Sequence, residues 1–133
     1  MNGSPEFRLL PLELLREHEE HDAAKVEELV RELQRTGVFR DPIWVARGTW
    51  VILNGHHRVA ALRRLGMKRV PAWVFDYHDD SVELGRWSPG PPIAKQEVVD
   101  RASRGAPFPP KTTRHTLTVE LPSRSVPLAE LAS

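Results

Sequence analysis

No cysteine occurs anywhere in the 133 residues. Disulfides, thiolate metal ligands and a cysteine nucleophile are therefore excluded. No apolar run approaches the ~18 residues that span a membrane. No secretory signal is visible either, so the cytoplasm is the expected compartment. Neither sign of charge dominates: 19 Lys and Arg against 18 Asp and Glu give a formal net charge of +1. A nucleic-acid partner is thus not demanded by the total. There is no Walker loop and no Rossmann fingerprint, so any nucleotide site must be of another type. No internal repeat or low-complexity segment stands out.

What is present is a globular balance, 40% hydrophobic and 28% charged residues, which fits one ordinary domain with one real core. Met1 to Phe7 contains Gly-Ser-Pro-Glu-Phe and reads as a cloning scar; it is set aside, leaving 8–133 as the domain.

The chain is organised around Val51 to Gly66. Val51-Ile52-Leu53 suits a buried strand. Gly55 permits a sharp turn, and Val59, Leu62 and Leu65 carry near-helical spacing up to Gly66 as a stop. Asn54-Gly55-His56-His57-Arg58 therefore sits at a helix N-terminus, where free N–H groups and the helix dipole favour anions. Two imidazoles and a guanidinium crowd the same point, which suits a phosphate or carboxylate. The plainer alternative is an exposed polar turn.

Before this stretch, Leu9 to Leu15 reads as an edge strand or extended entry. Asp22 is an N-cap candidate for a helix over Ala23–Thr36, whose Val26, Leu29, Val30 and Leu33 follow i, i+3, i+4, i+7, with Gly37 as its end. Val38 to Arg47 reads as a strand, and Gly48-Thr49 as a hairpin turn into Trp50–Leu53. After it, Val70–Phe75 reads as a strand, Asp76–Ser81 as a loop and Val82–Trp87 as a short strand. Ser88–Pro92 reads as a turn, Ala94–Arg104 as a helix ended by Gly105, and Thr116–Leu121 as a strand. Leu128–Leu131 reads as a last helical turn.

Two further polar clusters stand out. His18-Glu19-Glu20-His21 offers a carboxylate that could take a proton from an attacking hydroxyl. A metal on His18 and His21 is the weaker alternative, because the run precedes the helix and matches no zinc spacing. Lys111-Thr112-Thr113-Arg114-His115 sets two cations, two hydroxyls and an imidazole behind the stiff Pro109-Pro110 lead-in. Such groups suit a polyphosphate, and a stiff backbone loses less entropy on binding.

Taken together, these residues resemble the free L-serine kinases of the ParB/sulfiredoxin superfamily. Those carry a His-Glu pair after the first strand, Asp-Gly-His-His-Arg at the central turn, a tryptophan in a later loop and Pro-Lys-Thr-Thr-Arg-His near the C-terminus. This chain has His18-Glu19, Asn54-Gly55-His56-His57-Arg58, Trp87 and Pro110-Lys111-Thr112-Thr113-Arg114-His115 in the same order. Leu65-Gly66, Val70-Pro71 and Asp76-Tyr77 are similar as well. The resemblance runs from about Leu10 to Leu131.

It implies an α+β ParB/sulfiredoxin-like domain, a small mixed β-sheet with flanking helices, that phosphorylates free L-serine to O-phosphoserine from ADP or ATP with Mg2+. By the same resemblance Glu19 is the base and Asn54 shares the catalytic position. Gly55, His56, His57, Arg58, Lys111, Thr112, Thr113, Arg114 and His115 hold the nucleotide, and His18 and Trp87 line the serine pocket. The expected partners are a nucleotide and a small hydroxy amino acid, with no protein-held metal, membrane or nucleic acid. Two features depart from the pattern. Asn54 stands where the kinases have aspartate, and only about twenty residues separate Trp87 from Lys111, where the longer kinases insert a subdomain. The rivals are a nucleotide-gated DNA-binding regulator of ParB type, although no helix-turn-helix follows the central domain, and a relative that binds nucleotide without catalysis.

Overall fold

The computed structural model describes residues 5–133. Strand β1 (Glu6–Pro11) runs into a single 3-10 turn at Leu12–Leu14, and helix α1 follows (Ala23–Thr36). Then come β2 (Val38–Arg40), β3 (Ile43–Ala46), β4 (Ile52–Asn54), α2 (His56–Arg64) and β5 (Arg69–Phe75). The chain ends with β6 (Val82–Arg86), α3 (Lys95–Arg104), β7 (Thr113–Leu117), β8 (Ser125–Pro127) and a second 3-10 turn at Leu128–Leu131.

The main sheet has the order β1-β5-β3-β4, with β3 and β5 parallel and the outer pairings antiparallel. Both faces are covered. On one, Val70, Ala72 and Val74 of β5 and Ile43 and Val45 of β3 pack with Val26, Val30 and Leu33 of α1 and Val59 and Leu62 of α2. On the other, Trp73 and Phe75 join Ala46, Val51, Leu53, Tyr77, Val82, Val98 and Phe108. A strand buried on both sides has no polar alternation, and β5 reads as one apolar run for that reason. The outcome is the α+β, mixed-sheet domain expected.

Several boundaries differ from expectation. Met1 to Ser4 lie outside the described residues, but Glu6 and Phe7 of the segment set aside belong to β1, opposite Val74 and Trp73. Val38 to Arg47 forms two strands. Asp41, at φ 55°, turns the chain ahead of Pro42, so β2 pairs with β8 while β3 enters the main sheet. The last expected strand begins earlier, at Thr113, because β6 recruits the polar Thr-Arg-His segment in the register Arg86 opposite Thr113. Strand β8 has no signature of its own, being three residues drawn in by β2.

Helix α1 keeps the limits that its periodicity predicts. Asp22 caps it by accepting from the Ala24 N–H at 2.9 Å, and Gly37 ends it in the left-handed region. Gly55 adopts φ 115°, and a Cβ there would lie 2.8 Å from the Ile43 Cβ. Only glycine satisfies both the backbone and the packing. No helix among the described residues is long and apolar enough to cross a membrane.

Candidate active site

The segment between the first 3-10 turn and α1 is threaded between two neighbours. Arg16 bridges to Val51 beside β4, and Glu19 bridges to Phe108 in the proline-rich loop. Phe108 N donates to the His18 carbonyl, and Glu20 N donates to the Phe108 carbonyl, both at 2.7 Å. These backbone bonds carry His18 and Glu19 to the end of β4, where α2 begins and β7 passes.

A cleft of about 760 Å³ opens there, within the range of small-molecule sites. Its lining includes Glu19, Asn54 through Arg58, Trp87, Lys111, Thr113 and His115. All three sequence clusters thus converge. The N-terminus of α2 has no side-chain cap and no acidic residue in its first turn, so its free N–H groups and dipole remain suited to an anion.

Glu19 is buried and bonded by the start of β7. Its Oε2 accepts from Thr113 N at 3.1 Å and Thr113 Oγ1 at 2.6 Å, and its Oε1 accepts from Thr112 N at 3.3 Å. The Thr112 hydroxyl donates to the Pro109 carbonyl at 2.7 Å. Thr112 and Thr113, expected as phosphate ligands, therefore direct these groups to the protein itself. The Thr113 hydroxyl points at a carboxylate because the early start of β7 turns it that way.

His18 was expected at the substrate. It is fully buried, with its Nε2 2.8 Å from Thr113 Oγ1, so it lies behind the cleft and does not line it. Arg58 lines the cleft and is also engaged within the protein. Its guanidinium donates to the carbonyls of Arg40 and Asp41 and, at 3.4 Å, to Asn54 Oδ1, and it lies over the Phe39 ring. The turn at Asp41 brings those carbonyls within reach, and they compete with any phosphate for the same donors. Arg114 does not line the cleft but stacks on Trp87, 4.6 Å from the ring centre. Trp87 itself is 61% exposed. Lys111, at φ 57°, sits on the cleft wall with its backbone in the left-handed region.

Four histidines, His18, His56, His57 and His115, are shifted toward the neutral form. Burial pushes His18 down to about 4 and His115 down to about 3. Burial lowers His56 well below the imidazole range, with His18 and His115 adding to the effect. His57 is lowered by burial and then by His21. Neutral rings can accept as well as donate. His56 Nε2 accepts from His18 N at 3.2 Å, and His57 Nε2 accepts from Asp22 N at 3.0 Å. Each of these two rings therefore keeps its proton on Nδ1. His115 Nε2 shares a 2.8 Å bond with the Tyr77 hydroxyl, whose own ionisation burial pushes up.

Sequence reasoning missed Asp22, Lys25 and Glu28 as cleft residues, and Tyr77 as the partner of His115. Lys25 and Glu28 share a helical face by their spacing, but nothing local says what that face meets. Among the described residues no group of three or more His, Asp or Glu could hold a metal ion. Glu19 is occupied by Thr112 and Thr113, Asp22 caps α1, and residue 54 is a neutral amide.

Against known proteins, the family model described as the ParB N-terminal domain matches residues 6–84. The ADP-dependent L-serine kinase SerK of Thermococcus kodakarensis is 29% identical over 103 residues, which are 74% of this chain and 43% of that protein. The ATP-dependent L-serine kinase of Staphylothermus marinus is 35% identical over 85 residues, 61% of this chain and 34% of that protein. The chain thus spans less than half the length of these curated relatives. A solved structure described as a free serine kinase in complex with AMP superposes with a TM-score of 0.85 at 19% identity, covering 98% of this chain and 95% of the other. At that identity the likeness is one of fold. With more than half of its residues matched by the family model and the fold shared, the chain belongs to the ParB N-terminal domain family.

Proposed function

We propose that this protein is a nucleotide-dependent kinase that transfers a phosphoryl group from ADP or ATP to free L-serine, giving O-phosphoserine. The observation that carries the proposal is the buried Glu19 carboxylate, which lines the same cleft as an uncapped helix N-terminus. The first provides a proton acceptor and the second a place for phosphate. The kinase names of the relatives, and the nucleotide named with the structural neighbour, support the same reading.

In the step itself the serine oxygen attacks the terminal phosphorus in line. The new O–P bond forms as the bond to the leaving nucleotide oxygen breaks, and the hydroxyl proton passes to Glu19. The free N–H groups at the start of α2, the Nδ1–H groups of His56 and His57, and the Lys111 ammonium stabilise charge on the phosphate oxygens. Mg2+ supplied with the nucleotide neutralises further phosphate charge. Trp87, on the cleft wall with Arg114 stacked on it, is the residue assigned to the serine side of the cleft, and the cytoplasm supplies both reactants.

The test is incubation with Mg2+, either ADP or ATP, and each of serine, threonine and homoserine, followed by phosphorus NMR. A phosphoserine resonance is expected, with serine preferred. Nucleotide binding without any phosphoester would favour the non-catalytic reading, for which the neutral Asn54 in place of aspartate is the specific observation.

A further inference from the structure

The Thr113 hydroxyl carries one hydrogen and lies between two side chains, 2.6 Å from Glu19 Oε2 and 2.8 Å from His18 Nε2. A carboxylate can only accept, so the hydrogen lies on the Glu19 side. His18 Nε2 must then donate to Thr113 Oγ1. A neutral imidazole has one N–H, which places it on Nε2 and leaves Nδ1 bare. Nδ1 of His18 is a buried ring nitrogen that makes no hydrogen bond of ordinary geometry, with the Ile52 backbone beside the ring. The ring is also confined. Its backbone N–H is bonded to His56, its carbonyl accepts from Phe108, and His56, His115 and Phe108 pack against it edge to face.

The two carboxylate oxygens of Glu19 are consequently unlike. Oε2 receives the hydroxyl and the N–H of Thr113, whereas Oε1 receives only the longer bond from Thr112 N. Acceptor capacity remains on Oε1.

We infer that His18 and Thr113 form a positioning relay, imidazole to hydroxyl to carboxylate, that fixes Glu19 with Oε1 as the oxygen that takes the substrate proton. The relay deepens the kinase proposal and rests on it for what Glu19 is positioned to do. His18 lies behind the cleft and acts on Glu19 only through Thr113. Two residues of the phosphate-like motif thus serve the base, and Thr113 links the Lys111–His115 segment directly to it.

Two measurements test this. Long-range proton–nitrogen NMR of nitrogen-15-labelled protein reads the His18 tautomer without any need for turnover. Kinetics of Thr113→Val and Thr113→Ser read the consequence. His18 is expected neutral with its proton on Nε2, in the parent and in Thr113→Ser. Thr113→Val is expected to lose about tenfold or more in kcat, since misplacing a reacting group is costly, with the nucleotide KM within about twofold of the parent. Thr113→Ser should recover kcat to within about threefold. A proton on Nδ1 of His18, or an unchanged kcat in Thr113→Val, overturns the relay. If Thr113→Val does not fold, the parent tautomer still decides. A parent that forms no phosphoserine overturns the kinase proposal alone, and the tautomer decides the relay by itself.

Discussion

Glu19 and Thr113 are 94 positions apart in the chain, and their side chains meet at 2.6 Å. The contact joins the loop before α1 to the first residue of β7, and it sets the geometry on which the proposed chemistry depends.

Glu19→Gln keeps the size and reach of the side chain but removes its basicity. The variant is expected to fold, to bind nucleotide and to lose at least ~10²-fold in phosphoserine formation. Glu17, bonded to Arg63 at 2.8 Å, and the exposed Glu20 are the controls, and their glutamine variants should lose far less. Rates of the three purified variants at saturating substrates provide the comparison; a Glu19→Gln enzyme within threefold of the parent would move the base elsewhere.

Arg58→Ala should act through stability. It removes donors from the Arg40 and Asp41 carbonyls and the packing over Phe39, and unpaired carbonyls of this kind cost about 1–3 kcal/mol. Arg114→Ala, at an exposed position, should stay within about 0.5 kcal/mol of the parent. Denaturant melts of the two variants check the difference, and equal losses would contradict the roles given to these residues.

Asn54→Asp restores the carboxylate of the kinase pattern beside Arg58, whose guanidinium already reaches residue 54. Turnover is expected to rise. Steady-state rates of the two proteins decide, and identical values would show that the position is not critical to the chemistry.

Stability should fall in mild acid. His18, His56 and His115 are all held below the ordinary imidazole value of 6.5, His18 down to about 4 and His115 down to about 3. Between about 6.5 and those values the unfolded chain binds protons that the folded chain refuses. Unfolding free energy therefore rises with pH across that window and is lost as pH falls, by up to about 1.4 kcal/mol per pH unit for each histidine. Melting temperatures should be flat above pH 7 and drop steadily from about pH 6.5 to 4.5. A flat profile through pH 5 would mean that these rings are not neutral in the folded state.

What the sequence by itself determined is local. The 3.6-residue period and flanking cap residues delimit α1 at Ala23 and Thr36, and the helical limits follow from hydrogen bonds four residues long. Gly55 before two histidines marks the turn, because φ 115° and the approach to Ile43 admit no other residue. The convergence of His18-Glu19, the central turn and Lys111–His115 was legible through the family pattern. The orientation of each side chain was not, because hydrogen-bond partners are chosen by distance in space. His18 looked like a residue of the substrate pocket until β4 and Phe108 closed around it. That Arg58 also donates to two carbonyls was decided by the Asp41 turn. Thr113 looked like a loop hydroxyl until β6 drew it into a strand and turned it toward Glu19. Only the tertiary structure decided those partners, since each was supplied by an element with no sequence neighbourhood to the residue it captured.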